Sequence, residues 1–592
     1  MKHRLLTAAA VLIPAMALAQ TAPRLDPDRL RAHVQTLGSD AFEGRAPTTR
    51  AEAKTVDYLI TQLRAAGVSP GGSVVNGQRG WTQDVPLLKS DIVGQPSVTL
   101  NLAGQNVRLV QGQDIAVRSP LTGASSVSLA NAPLLFVGYG VTAPERGWDD
   151  FKGVDVRGKV IVVLVNDPDF EGGEGQFGGK AMTYYGRWTY KFEEAARRGA
   201  AGVLIVHETD PASYGWNTVK NSNTNTMFDI VRANPGAEHT PFDSWIQRDL
   251  ATRIFAASGQ NFEAAKQAAK RRDFRPIPLN ATLSAAVNAK TERIVSKNVV
   301  GLLQGTTRPN ETVIYSAHWD HLGIGLPDAN GDRIYNGALD NGTGVAHVLE
   351  QARLFAREPR TARSIVFLFV SVEEKGLLGS EYYAANPLYP LATTVGVLNT
   401  DSMGVYGPAR DFSISGTARL GLLDALIGEG QRQGRRFTPD PHPESGGFYR
   451  SDHFPMAKVG VPAVSFKSGL DLVNGGIARG EALSKEYTTK RYHQPDDEYS
   501  PSWDFTGVVS DGNLLHAVGR NLANSTAWPN WSQDSEFRAT RDRTTSQRMG
   551  VPAPAPVRAP VPVLAPAPAP RPAPAPRPAP APAPIPPAGE RG

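Results

Sequence analysis

Cysteine is absent from all 592 residues. That excludes a disulfide scaffold, a thiolate nucleophile, an iron–sulfur cluster and a Cys-based zinc finger, so any metal must be held by His nitrogen and carboxylate oxygen. An excess of one charge is also lacking. The 62 Lys and Arg against 57 Asp and Glu leave +5, not gathered into a basic block, which argues against nucleic acid as a partner. Long apolar runs are missing beyond the first residues. With 41% apolar and 20% charged residues, the composition is too polar for a polytopic membrane protein. No G-x-S-x-G elbow anchors a serine mechanism, and no H-E-x-x-H helix is present. Gly138-Tyr139-Gly140 imitates a dinucleotide-binding turn, but Pro144 follows and no helix begins.

The two ends read as something other than fold. A basic start at Lys2 and Arg4, an apolar stretch from Leu5 to Ala19 and the ending Ala17-Leu18-Ala19 have the layout of a secretory signal peptide. Export to a periplasm or beyond is therefore expected, with no membrane span after signal removal. From about 551 onward, Ala-Pro alternation predicts an extended tail without a core, either a tail with no specific partner or a spacer or contact with the cell envelope.

Between the ends, helical spacing occupies Leu30 to Leu37 and Arg50 to Ala66, then short β-like runs follow from about Leu87 to Leu283. Beyond Asn298, strands at Val313–Ala317, Ile365–Val372, Val395–Leu398 and Ala463–Phe466 alternate with helices, the strongest at Thr343–Ala356. This pattern predicts an α/β fold with a mostly parallel mixed sheet flanked by helices. The expected divisions are 1–19 signal peptide, 20–86 first part of the main domain, 87–290 a β-rich insertion, 291–530 the main part, and 531–592 linker and tail.

Polar residues collect where those strands end. His318, in Ser316-Ala317-His318-Trp319-Asp320-His321, follows one strand; Glu373 and Glu374 follow the next; Asp401 follows a third. Asp340 precedes the helix in Gly337-Ala338-Leu339-Asp340-Asn341-Gly342, and His493 lies among acids in a later loop. Open parallel sheets bind ligands beyond the carboxyl ends of their strands. Carboxylates gathered there would repel one another unless cations neutralised them, and two His with three carboxylates suit two zinc ions.

The order H-x-D, G-A-x-D-N-x-x-G, E-E-x-G-x-x-G-S, N-x-D and Y-H resembles the two-zinc exopeptidases of metallopeptidase family twenty-eight, which includes bacterial leucyl-type aminopeptidases and glutamate carboxypeptidases. The resemblance covers roughly Leu30 to Gly67 and Asn298 to Leu522. The middle segment resembles a protease-associated (PA) domain, through Asp155-Val156-Arg157-Gly158-Lys159-Val160 and the region Lys191 to Val206. The resemblance implies that His318 and Asp401 bind one zinc, Glu374 and His493 the other, and Asp340 bridges both. It further implies Glu373 as general base, Asp320 orienting His318, Tyr492 assisting the oxyanion, and a cis Asp340–Asn341 bond. His321 is assigned a supporting rather than ligating role, and Asp452 a place in the pocket wall.

The reading that follows is an exported zinc aminopeptidase acting on peptides. A carboxypeptidase or dipeptidase of the same family stays open, because it needs Arg or Lys to clamp a terminal carboxylate and Arg450 and Lys467 lie in the right region of the sequence. A non-catalytic binding protein is the reading from another class.

Overall fold

The computed structural model describes residues 24–548. The proposed signal peptide and the Ala/Pro-rich tail lie outside the described residues.

The central sheet is built on four parallel strands, in the order Arg363–Val370, Arg308–His318, Thr394–Thr400 and Ala463–Ser468. Antiparallel neighbours flank them: Val299–Leu303 at one side and Asp411–Ile414 at the other. Side chains alternate across the sheet because successive residues of a strand point to opposite faces. Val313, Tyr315, Ala317, Phe367 and Phe369 face a core shared with the helices Pro27–Leu37, Arg50–Ala65, Gly342–Arg357 and Thr506–Asn524. Ile314, Val366, Leu368 and Val370 face a second core completed by Tyr383 and Met456. With both faces covered, the strands carry apolar runs at their centres, Val313–Tyr315, Ile365–Val370 and Val395–Leu398 among them, as buried parallel strands do. This is the mostly parallel mixed α/β sheet expected from the sequence.

The first helices start where local chemistry dictates. Asp26 accepts a hydrogen bond from the Asp28 amide with Pro27 at the first helical position, and Thr49 accepts one from Ala51.

The insertion has its own sheet. Ser126–Phe136, Val160–Leu164, Gly202–His207 and Phe242–Gln247 run parallel, over two cores of their own. It joins the main domain through a two-stranded ribbon in which Thr82–Ile92 pairs with part of a 27-residue strand, Ile277–Leu303. The divisions expected at 87 and 290 fall inside this ribbon, so the two units share continuous strands.

One expectation needs correction. The segment from 531 to 548, read as linker, is packed. Trp531 is buried and donates from Nε1 to the Gly460 carbonyl (3.1 Å). In the helix Arg538–Arg548, buried Arg541 donates to the carbonyls of Leu391 (3.0 Å) and Thr394 (2.8 Å). Among the described residues, no helix is long and apolar enough to cross a membrane.

Candidate metal centre

Strand register assembles the site. His318 pairs across the sheet with Val370, and Ser316 with Asn399, so the residues just past Val370 and Asn399 flank His318. Glu373 and Glu374 lie in the turn after the first of these strands and Asp401 follows the second. Asp340 precedes the helix Gly342–Arg357 and is joined to Asn341 by a cis bond. Asn341 fixes that approach: its side chain accepts from Gly344 N (3.0 Å) and Ser402 N (3.1 Å) and donates to Thr400 O (3.0 Å). Only glycine fits at 344, since a Cβ there would lie 2.1 Å from the Asn341 side-chain oxygen.

The structure brings together all six residues proposed as ligands or base. His318 Nε2 lies 3.3 Å from Asp401 Oδ1, 3.3 Å from Asp340 Oδ1 and 3.9 Å from Glu373 Oε2. His493 Nε2 lies 3.0 Å from Glu374 Oε2 and 3.5 Å from Asp340 Oδ2. Asp340 thus turns one carboxylate oxygen toward each histidine. The donor atoms of His318, Asp340 and Glu374 lie within 4.8 Å of one another, as do those of His318, Glu373 and Asp401.

The surrounding contacts orient these groups. His318 Nδ1 faces the main-chain carbonyl of Asp320 at 3.2 Å, which leaves the Nε2 lone pair toward the carboxylates. The Asp320 carboxylate, expected to orient that ring, lies farther off at 3.9 Å. It accepts instead from the amides of Glu373 (3.0 Å) and Glu374 (3.4 Å), so it fixes the turn carrying the acidic pair. His321 Nδ1 lies 2.6 Å from Glu374 Oε1, a supporting contact. Tyr492 stacks on His493, with ring centroids 3.9 Å apart. The Asp452 side chain accepts from Ser380 Oγ (2.6 Å). Lys467 is drawn toward Asp440 (3.9 Å) with its side chain 42% exposed, so the structure does not bring it to this site.

Several contributors were silent in the sequence. Ser222 Oγ, from the insertion helix Trp216–Asn223, sits 2.7 Å from His493 Nδ1, and Asn221 Nδ2 donates to the His493 carbonyl (3.0 Å). Asp497 accepts from the amides of Leu339 and Asp340, both at 3.0 Å. Fully buried Arg45 donates to the carbonyls of Leu37, Trp319, Asn336 and Gly337, holding the loop that presents Asp340.

The electrostatics are those of a cluster in need of cations. Burial, then the charges of Asp401 and Glu374, push the Glu373 carboxyl well above the usual range against the pull of His318. Burial also raises Asp320 and Asp452, each to about 7. Burial opposes a charge on His493, yet Glu374 and Asp340 outweigh it and lift the imidazole to about 9. Likewise Glu373 and Asp401 outweigh burial at His318 and raise it well above its ordinary value. With protons as the available counter-charge, both imidazoles are driven to hold one, in the position where a divalent ion would serve better. Asp340 Oδ1 is buried without a hydrogen-bond partner, although it lies between these groups. An orphaned carboxylate oxygen amid imidazole nitrogens and further carboxylates, with no thiol, fits zinc.

A mixed α/β sheet carrying such a donor set beyond its parallel strand ends defines a metal-binding α/β domain. Residues 298–517 match the model described as Peptidase family M28. A probable zinc metalloprotease of Pyricularia oryzae is 37% identical over 107 residues, covering 18% of this chain and 21% of that protein. Leupeptin-inactivating enzyme 1 of Streptomyces exfoliatus is 30% identical over 175 residues, covering 28% and 34%. The chain therefore spans well under half the length of these curated relatives. Among solved structures, the aminopeptidase from Aneurinibacillus sp. strain AM-1 aligns with a TM-score of 0.52 at 18% identity, covering 85% of this chain and 96% of that one. This last likeness is one of fold.

Proposed function

We propose that the protein is a zinc-dependent peptide hydrolase with two metal ions, working as an exopeptidase and foremost as an aminopeptidase. The observation that carries the reading is the Asp340 carboxylate with one oxygen turned toward His318 and Asp401 and the other toward His493 and Glu374. His318 and Asp401 would hold one ion, His493 and Glu374 the other, with Asp340 common to both. The family match and the relative named as a zinc metalloprotease support zinc as the metal. Bound there, zinc ions supply Lewis acidity, lowering the pKa of water and polarising a carbonyl.

The chain's own groups supply the proton traffic. Glu373, buried beside His318 and held by Asp320 through its amide, takes a proton from the attacking water and returns it to the leaving amine nitrogen. Burial, only partly opposed by Arg450, keeps the Tyr492 phenol protonated as a donor for developing negative charge. The acidic edge of Glu373 and Asp401 suits a substrate ammonium, which favours attack at the amino end. Export follows from the apolar leader of the sequence, and the β-rich insertion takes the role of a PA-like cover over the site.

The test joins metal analysis to substrate profiling on one sample. Two zinc ions per chain and release of aniline from leucyl-anilide, with N-acetylated peptides spared, are expected. Zinc-loaded protein that cleaves neither free nor blocked peptides refutes the reading in favour of a binding protein.

A further inference from the structure

The insertion helix Trp216–Asn223 ends against the metal centre, where Asn221 and Ser222 hold His493. The last carbonyls of a helix have no partner within it and must find one elsewhere. Residues at the helix end supply two of these partners. Thr224 donates from Oγ1 to Lys220 O (2.8 Å), and Asn225 donates from Nδ2 to Asn221 O (2.9 Å). The partner of Ser222 O comes instead from the main domain. Lys375 Nζ donates to it at 3.1 Å and to the Asn225 side-chain oxygen at 2.7 Å.

Lys375 is buried, 8% exposed, and both of these acceptors are neutral oxygens. An ammonium at the carboxyl end of a helix meets the negative end of the helix dipole, which offsets part of the cost of burying it. Position gives this contact its meaning. Lys375 follows directly on Glu374, one proposed ligand, and the serine that it grips offers its hydroxyl to His493, the other ligand of the same ion. Two ligands far apart in sequence are therefore tied to one residue of the insertion. Glu374 is tied through the Lys375 side chain and the Ser222 carbonyl, His493 through the Ser222 hydroxyl. His318 takes its orientation from the Asp320 carbonyl within the main domain, so the other ion stands outside this arrangement.

We propose that Lys375 is a positioning residue for the ion that Glu374 and His493 would share: by gripping the end of the insertion helix it fixes Ser222, and through Ser222 the separation of those two ligands. This rests on the two-metal reading. The turn of the main domain and the helix of the insertion act as one unit, so binding of that ion and docking of the helix strengthen each other to the same degree.

Two measurements on the full chain test this. The first is zinc competition against a chromophoric chelator. Lys375→Met should weaken one ion by about tenfold or more, as loss of a group that orients a ligand does, and leave the other at its wild-type affinity. Lys375→Arg keeps a donor and should restore part of the loss. Asn225→Ala removes the second acceptor and should shift the same ion in the same direction. Because Lys375 acts through Ser222, its loss should add about threefold or less on top of Ser222→Ala, whereas independent roles would multiply the two effects. The second measurement, hydrogen exchange of residues 219–225 in chelator-treated protein, needs no metal. Exchange should quicken about tenfold or more in Lys375→Met, the worth of a hydrogen bond from a charged group. Two ions held as tightly in Lys375→Met as in wild type, equal weakening of both, or fully multiplicative effects with Ser222→Ala overturn the positioning role and leave the two-metal reading standing. Wild-type protein that binds fewer than two zinc ions refutes that reading and, with it, the role assigned to Lys375. Unchanged exchange overturns the tether alone.

Discussion

Ser222 belongs to the insertion, yet its hydroxyl is the partner of a proposed metal ligand some 270 positions later. For His493 Nε2 to offer a lone pair to zinc, Nδ1 must carry the proton and donate it, and Ser222 Oγ stands ready at 2.7 Å. Ser222→Ala removes that acceptor inside a closed site, freeing the ring to tilt or change tautomer. Losing such a partner weakens metal binding by about 10- to 100-fold, or about 1.4–2.8 kcal/mol. Asn221 on the His493 carbonyl holds the main chain, and Tyr492 stacked on the ring face limits its tilt without fixing its tautomer. Only the ion shared by His493 and Glu374 should weaken, because His318 takes its orientation from Asp320 within the main domain. Competition against a chromophoric chelator, with metal counted on the same sample, should show one ion leaving early and the other at its wild-type affinity. Ser222→Thr keeps the hydroxyl and should restore the first. Two ions bound as tightly in the Ala variant as in the wild type would refute the argument, as would equal weakening of both.

Glu373→Gln should keep its zinc and lose about 10³-fold or more in turnover, because the amide cannot carry the proton; metal content and steady-state rates measured together check this. Gly337→Ala should cost both stability and zinc. Gly337 has φ +57°, and a Cβ there would lie 2.2 Å from the Asp340 carbonyl oxygen and 2.4 Å from His321 Cγ, so a loss of about 1–3 kcal/mol is expected in urea unfolding. His347 sits fully buried between Thr400 Oγ1 (3.2 Å) and Gln351 Nε2 (2.8 Å), and burial, with the charge of His516, lowers it to about 3. A lowered folded value means that the neutral ring's contribution is complete above the unfolded pKa of about 6.5 and is lost as pH falls toward the folded one. His347→Gln removes that titration. From pH 7 to pH 4 the variant should therefore improve against wild type by about 3 kcal/mol, and an unfolding difference that does not change with pH would contradict the burial argument.

The sheet was legible because buried parallel strands leave unbroken apolar runs, and the site because its ligands follow directly on those strands. His318 ends one strand, and Asp401 and the Glu373–Glu374 pair come immediately after two others. Elements that do not announce themselves by apolar periodicity were missed. The strand Ile277–Leu303 alternates through Leu279, Ala281, Leu283, Ala285 and Val287, but alanine is too small to mark a buried strand face. The helix Gly476–Lys490 buries only Gly480 and so carries no apolar stripe. The helix Arg538–Arg548 is docked by the guanidinium of Arg541 on main-chain carbonyls, an attachment that reads in sequence as solvated charge.

The same blindness governs the site, and it has a direction. A metal ligand must be His or a carboxylate, so chemistry restricts the residue type and the sequence shows it. A group that orients a ligand needs only a hydrogen-bonding atom in the right place, and a serine, an asparagine or a main-chain carbonyl serves equally well. The Asp320 carbonyl performs for His318 what the Asp320 carboxylate was expected to do, and the serine that performs it for His493 comes from another unit. The insertion therefore contributes the partner of a proposed ligand. Its removal should dismantle the reaction centre, whereas a detachable cover would leave that centre intact.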